Sequence, residues 1–341
     1  MTHDNAMIPS HEKGRSSVTL SPEGYAPSLA RANDWLNSTA LDISDLRGQV
    51  VVVNFCTYTC INWIRTLPYV RAWEKRYRDD GLVMVGVHTP EFSFEHDLEN
   101  IRIALRQMRV TWPMAIDNEY AVWEAFANHY WPALYCIDAN GRIRHHRFGE
   151  GDYERSEEVI QALLLEAGAS DLGADVVSVD AMGPELEADW DNLESAETYL
   201  GYRQTRNFAS PGRMSPDRPY RYEGPERLQA GHWSLAGDWT AQTDRLLSNE
   251  PGGRIELAFH ARDVHLVMGP VDRGMAVPFR VSIDGKPPGG SAGTDVDREG
   301  AGILDHQRMY QLVRQPGPVT DRLFAIEFPD RGAAAFAFTF G

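Results

Sequence analysis

VVVVNFCTYTCINW, from Val50 to Trp63, decides the fold. Val50–Phe55 is a continuous, mainly β-branched run, as in a strand buried on both faces. From Cys60 to Arg78, apolar residues recur at three- and four-residue steps: Ile61, Ile64, Leu67, Val70, Trp73 and Tyr77. That spacing predicts a helix. Pro68 falls inside it and removes one backbone donor, so a kink is expected there. Cys60 therefore stands where a buried strand gives way to a helix. Backbone N–H groups and the helix dipole favour negative charge at that point, so a stabilised thiolate is expected. The thiolate is the nucleophilic form. The position also fits a buried structural cysteine, since free Cys is among the most buried residue types.

Working outward, Leu82–Val87 reads as a second buried strand, Leu98–Met108 as a helix and Tyr120–Ala127 as a short one. Leu134–Ile137 and Ile143–Phe148 read as strands joined by Asp138-Ala139-Asn140-Gly141, whose Asn-Gly is a hairpin signal. Ser156–Glu166 closes the pattern as a helix. The order implies a mixed sheet with helices on its faces, an α/β fold. Asp171–Glu197 then holds nine acidic residues and no Lys or Arg, the composition of a solvated linker. Beyond Tyr199 the period becomes two, as in Ile255/Leu257/Phe259 and Phe336/Phe338/Phe340, with Pro/Gly-rich turns between runs. This predicts an all-β antiparallel sandwich or jelly roll. The boundaries follow: an extension over 1–27, an α/β domain over 28–170, an acidic linker over 171–197 and a β-sandwich over 198–341.

Composition agrees with two domains. The chain has 341 residues, against about 100–200 per domain. The net charge of −16 disfavours phosphate-driven nucleic-acid binding and docking on anionic lipid. No apolar stretch approaches the ~18 residues of a membrane span. The start lacks the apolar core of a secretory signal, so a cytoplasmic location is expected. Three cysteines do not make a disulfide-stapled scaffold. No Cys/His spacing matches a zinc site, and no glycine-rich phosphate loop is present, so neither metal nor cofactor is expected.

A second element bears on Cys60. Trp131-Pro132 precedes the strand at Ala133, and across the sheet this start should lie beside the end of the Val50–Phe55 strand. A cis proline there would set Trp131 and Pro132 next to the thiol, where an extended substrate could pair. The first half resembles the thioredoxin superfamily over roughly residues 28–168, in its redoxin (AhpC/TSA, TlpA-like) branch. It is most similar to the thioredoxin-like part of DipZ-type cytochrome c biogenesis proteins. The resemblance rests on Leu46-Arg47-Gly48, Thr57-Tyr58-Thr59-Cys60-Ile61-Asn62, His88-Thr89-Pro90-Glu91, Tyr130-Trp131-Pro132-Ala133 and Phe148-Gly149-Glu150-Gly151. Gly237-Asp238-Trp239, His260-Ala261-Arg262-Asp263 and the closing Ala337–Gly341 resemble the carbohydrate-binding-module-like domain that follows in those proteins. That half of the resemblance implies a glycan as a ligand; Trp233, Trp239, Tyr220 and Tyr222 could supply a stacking face, although aromatics in a sandwich are core residues in most cases. The present chain resembles a free-standing version of the pair.

One departure shapes the function. Enzymes of this fold use Cys-x-x-Cys, where the second thiol resolves the mixed disulfide. Here Cys60 is followed by Trp63. The leading expectation is a thiol-disulfide oxidoreductase with Cys60 as nucleophile and a monothiolic cycle, acting on protein or low-molecular-weight thiols and disulfides. Cys56 is the one candidate resolving thiol, if the turn Thr57–Thr59 brings it within about 4.4–6.8 Å in Cα separation; otherwise it is core. Cys136, some 13 Å along its strand at about 3.3 Å per residue, reads as core. Trp63 is expected to shield Cys60, and Tyr58 and Trp131 to line the substrate site. His88 and Glu91 are candidates to move its proton. The alternatives are a peroxidase, in which Thr57-x-x-Cys60 resembles the peroxiredoxin motif, peroxide is the partner and Arg65 is the nearest arginine, and a non-catalytic scaffold carrying a ligand-binding sandwich.

Overall fold

The computed structural model describes residues 20–341 apart from 171 and 174, so most of the expected N-terminal extension lies outside the described residues. The first domain contains β1 (Gly24–Tyr25), β2 (Asp34–Leu36), β3 (Val50–Cys56), α1 (Ile61–Tyr77), β4 (Leu82–His88), α2 (Leu98–Gln107), β5 (Met114–Ile116), α3 (Ala121–Ala125), β6 (Ala133–Ile137), β7 (Arg142–Phe148) and α4 (Tyr153–Glu166). They form a seven-stranded mixed sheet in the order β1-β7-β6-β3-β4-β5-β2. β3 is central, parallel to β4 and antiparallel to β6. Its side chains alternate between two cores: Val50 and Val52 pack with α1 and α4, and Val51, Val53 and Phe55 pack with α3. A strand covered on both faces is why this segment is apolar except for Asn54. α1 runs from Ile61 to Tyr77 through Pro68.

The second domain has β8 (Thr198–Tyr199), β9 (Pro219–Tyr222), β10 (Trp233–Ala241), β11 (Leu246–Ser248), β12 (Gly253–Phe259), β13 (Asp263–Pro270), β14 (Val277–Ile283), β15 (Ala301–Leu304), β16 (Arg308–Arg314), β17 (Arg322–Phe328) and β18 (Ala333–Phe340). All its ladders are antiparallel, in two sheets joined through β10. Residues 233–236 of β10 pair with β12, and residues 239–241 pair with β11. The strand changes sheets at Gly237, where φ is +92° and a Cβ would lie 3.1 Å from the Gly253 Cα. The alternation read from the sequence lines the core, with Ile255, Leu257 and Phe259 buried on β12.

The two domains share a core. Val267, Met309, Ala334, Phe336 and Ala337 of the second join the cluster around α1. Phe336 packs against Phe92 and Phe94, at centroid distances of 5.4 and 4.6 Å. Arg65 on α1 is buried in an ion pair with Glu150 at 2.9 Å and also donates to the Phe340 carbonyl at 2.9 Å. The acidic segment is tethered rather than loose: Glu185 pairs with Arg71 at 2.6 Å, and Val177 N–H donates to buried Glu157. Among the described residues no helix is long and apolar enough to cross a membrane.

Candidate functional site

Cys60 is the N-cap of α1, at the end of a turn closed by its own N–H donating to the Thr57 carbonyl at 3.2 Å. Its carbonyl accepts the first helical bond, from Ile64 N–H at 3.0 Å. The residue is half-buried. Its Sγ lies 3.7 Å from the Trp131 carbonyl oxygen, and the Trp131–Pro132 peptide is cis. Pro132 is buried and Trp131 half-buried, the Trp131 indole donating to the Thr89 carbonyl at 3.1 Å.

The expectation of a stabilised thiolate is corrected. Burial pushes the Cys60 thiol well above the ordinary range, and the negative charge of Glu91 adds to that. Backbone N–H groups of Trp63 and Asn62 pull the other way, as the helix terminus should, but desolvation wins. The helix N-terminus is a local feature, whereas burial is set by everything packed around the turn.

Cys56 is fully buried and approaches the Val87 carbonyl at 3.5 Å and Met114 Sδ at 3.9 Å. Burial raises its thiol as well. All three cysteines are free, and Cys136 is core. The Trp63 side chain is completely buried, and its indole donates to Asn54 Oδ1 at 2.8 Å. Tyr58 is not an open substrate wall either, since it is buried and its hydroxyl donates to the Gln307 carbonyl of the second domain at 3.2 Å. Thr57 is buried, its hydroxyl close enough to favour the ionised form of Glu95 but without hydrogen-bond geometry to any partner. Arg65 is committed to Glu150 and Phe340, away from the thiol.

His88 lies opposite Cys56 across the β3–β4 ladder and stacks on Tyr58 at 5.7 Å. Both ring nitrogens lack a partner among the described residues, and burial depresses its pKa to about 3, so it is neutral near pH 7. Glu91 is different. Burial, then the charges of Glu197 and Glu95, raise it to about 8. The Tyr199 hydroxyl donates to Glu91 and lies 3.1 Å from Glu197, so the second domain reaches the edge of the site.

Two features escaped the sequence reading. Glu95 is fully buried and accepts from the Thr59 hydroxyl at 2.6 Å and from the Glu91 and Phe92 N–H groups at 2.7 and 2.8 Å. It pins the cysteine turn to the loop carrying Glu91. Nothing marked it as buried, because an acidic residue in a short polar stretch reads as surface. Tyr199 and Glu197 were hidden by a sequence separation of over 100 residues from their partners. The aromatic face expected for a glycan does not form: Trp233, Trp239 and Tyr222 are core, and only Tyr220 is exposed.

Comparison with known proteins agrees with both halves. Residues 26–146 match the AhpC/TSA family and residues 195–341 match the thioredoxin-like C-terminal domain family. Protein DipZ of Mycobacterium tuberculosis is 35% identical over 257 residues, 72% of this chain and 35% of its own length. The chain therefore spans about a third of that relative. Thiol-disulfide oxidoreductase YkuV of Bacillus subtilis is 26% identical over 140 residues, 41% of this chain and 94% of its own. A thiol-disulfide isomerase structure from Corynebacterium glutamicum covers 39% of this chain and 92% of its own at 23% identity, TM-score 0.37. The chain belongs to the thioredoxin superfamily, as a DipZ-like member of its redoxin branch.

Proposed function

We propose that the protein is a thiol-disulfide oxidoreductase in which Cys60 alone carries the covalent step. The observation that supports it is half-buried Cys60 at the α1 N-terminus, its sulfur 3.7 Å from the Trp131 carbonyl oxygen, while Cys56 is sealed in the core. Cys60 gives up its proton to water, and the thiolate attacks one sulfur of a disulfide RS–SR. The Cys60–SR bond forms as the old S–S bond breaks, and RS⁻ leaves and takes up a proton. An external thiol R′SH then attacks the R sulfur, freeing Cys60 and releasing RS–SR′. The peroxidase alternative loses support from the buried Thr57 hydroxyl and the engaged Arg65.

Mass spectrometry after brief exposure to 2-hydroxyethyl disulfide tests this. Wild type and Cys56→Ser should carry one adduct on Cys60, and Cys60→Ser none. An internal disulfide in wild type that vanishes in Cys56→Ser would replace the monothiolic cycle by a dithiol one. An unmodified Cys60 would end the catalytic reading.

A further inference from the structure

The proposed chemistry leaves one part of the molecule unused. A cleft of about 810 Å³ lies along the second domain, floored by Leu257 and Ala258 of β12 and walled by the Arg203–Asn207 loop. Its lining includes Glu197 and Tyr199, the same two residues that meet Glu91 at the edge of the Cys60 site. The cleft therefore begins where the thiol site ends.

Its charges are specific. Arg203 and Arg206 both line it, both are exposed, and neither pairs with a carboxylate among the described residues. These two unpaired guanidinium groups share the cleft with the carboxylates of Glu194, Glu197 and Asp321, so its lining carries charges of both signs. Asp321 lies 2.8 Å from His260 Nδ1, and Glu197 shares the Tyr199 hydroxyl with Glu91. Exposed Glu194 remains, together with the Thr205 hydroxyl, which is buried without a partner among the described residues. Paired guanidinium forks suit carboxylates, and a single free carboxylate suits an ammonium.

We propose that this cleft binds the non-reacting part of an amino-acid-derived, low-molecular-weight disulfide, with carboxylates on Arg203 and Arg206 and an ammonium toward Glu194. Its S–S bond then reaches past Tyr199 to Cys60. The second domain is thus the specificity half of the site. The assignment rests on Cys60 being the reactive thiol, and its test keeps the two apart.

Glutathione disulfide, which carries both carboxylates and ammonium groups, is the probe. Calorimetric titration into Cys60→Ser measures binding without chemistry. The expected result is saturable binding, weakened at least tenfold in Arg203→Gln/Arg206→Gln and unchanged in Arg221→Gln, which removes an exposed charge outside the cleft. Far-UV dichroism of each variant checks folding, and Arg203→Lys should fall between wild type and Gln. No binding at millimolar probe, or equal binding in all variants, overturns the assignment. Adduct formation on wild-type Cys60 by neutral 2-hydroxyethyl disulfide reports separately on the catalytic reading. If that succeeds while the binding arm fails, the cleft is wrong and the thiol chemistry stands.

Discussion

The Cys60 thiol sits between two opposing influences, and single-residue changes should shift their balance. Glu91 raises the thiol by its negative charge, and it is itself held near 8 by burial. Glu91→Gln removes that charge, which lowers the thiol pKa. The gain appears only where Glu91 would have been ionised, so iodoacetamide alkylation of Cys60 should accelerate chiefly above pH 8. A pH series of alkylation rates read by mass spectrometry checks this; an unchanged profile would separate Glu91 from the thiol. The stability sign is also fixed. A carboxyl with a raised folded pKa binds more protons folded than unfolded between about 4.5 and 8, so stability falls as pH rises through that window. Glu91→Gln should flatten that fall in Tm. His88 has the opposite sign, since its folded pKa of about 3 lies below the free value of about 6.5. It contributes stability that is lost as pH drops from about 6.5 toward 3. His88→Leu should flatten that acid limb, and with no hydrogen bond to lose it should leave Tm near pH 7 little changed.

At the scale of elements, the β3–α1 junction explains why the second cysteine position is not free for redox use. Trp63 fills the space under α1 and ties its indole to Asn54. Trp63→Cys would restore Cys-x-x-Cys on paper, but it empties an aromatic site and strands the Asn54 side chain. The expected cost is about 3 kcal/mol or more, read as a lower urea midpoint with unchanged slope. A stable variant would show that the pocket collapses. This junction also shows what the sequence could reveal. Val50–Phe55 was legible because burial on both faces leaves an apolar run interrupted only at Asn54, and α1 because its apolar stripe is long. β1, β2 and β5, of two or three residues each, are too short to express a period. Trp63 was legible as helical but not as buried, because a first-turn residue faces either way until the sheet beneath it is known.

Across the whole molecule, the acidic chain is held together at its centre by a buried cation. Arg65 joins Glu150 of its own domain to the Phe340 carbonyl of the next, with side-chain exposures of 2% and 7% for the ion pair. Removing the guanidinium leaves Glu150 buried and uncompensated. Arg65→Met should therefore cost about 3–5 kcal/mol, seen as a lower denaturant midpoint, and should expose the interface to proteolysis. Glu150→Gln with Arg65→Met should recover part of that loss; no recovery would place the cost in packing rather than charge. The site contribution from Tyr199 was invisible in the sequence for the same reason that Arg65's bond to Phe340 was: each depends on a partner that only the docked domains bring together.

The shared strand of the second domain carries a consequence for cooperativity. β10 gives its first half to one sheet and its second half to the other, bending at Gly237. Neither sheet can open while the other stays closed without breaking the same strand. Amide protons of β10, β12 and β11 should therefore exchange at one common free energy, as a single unfolding unit. The two-residue β8, which sits beside the thiol site, is free to exchange faster on its own. Native-state hydrogen exchange should show a slow sandwich with one fast edge, and that edge is the strand bearing Tyr199.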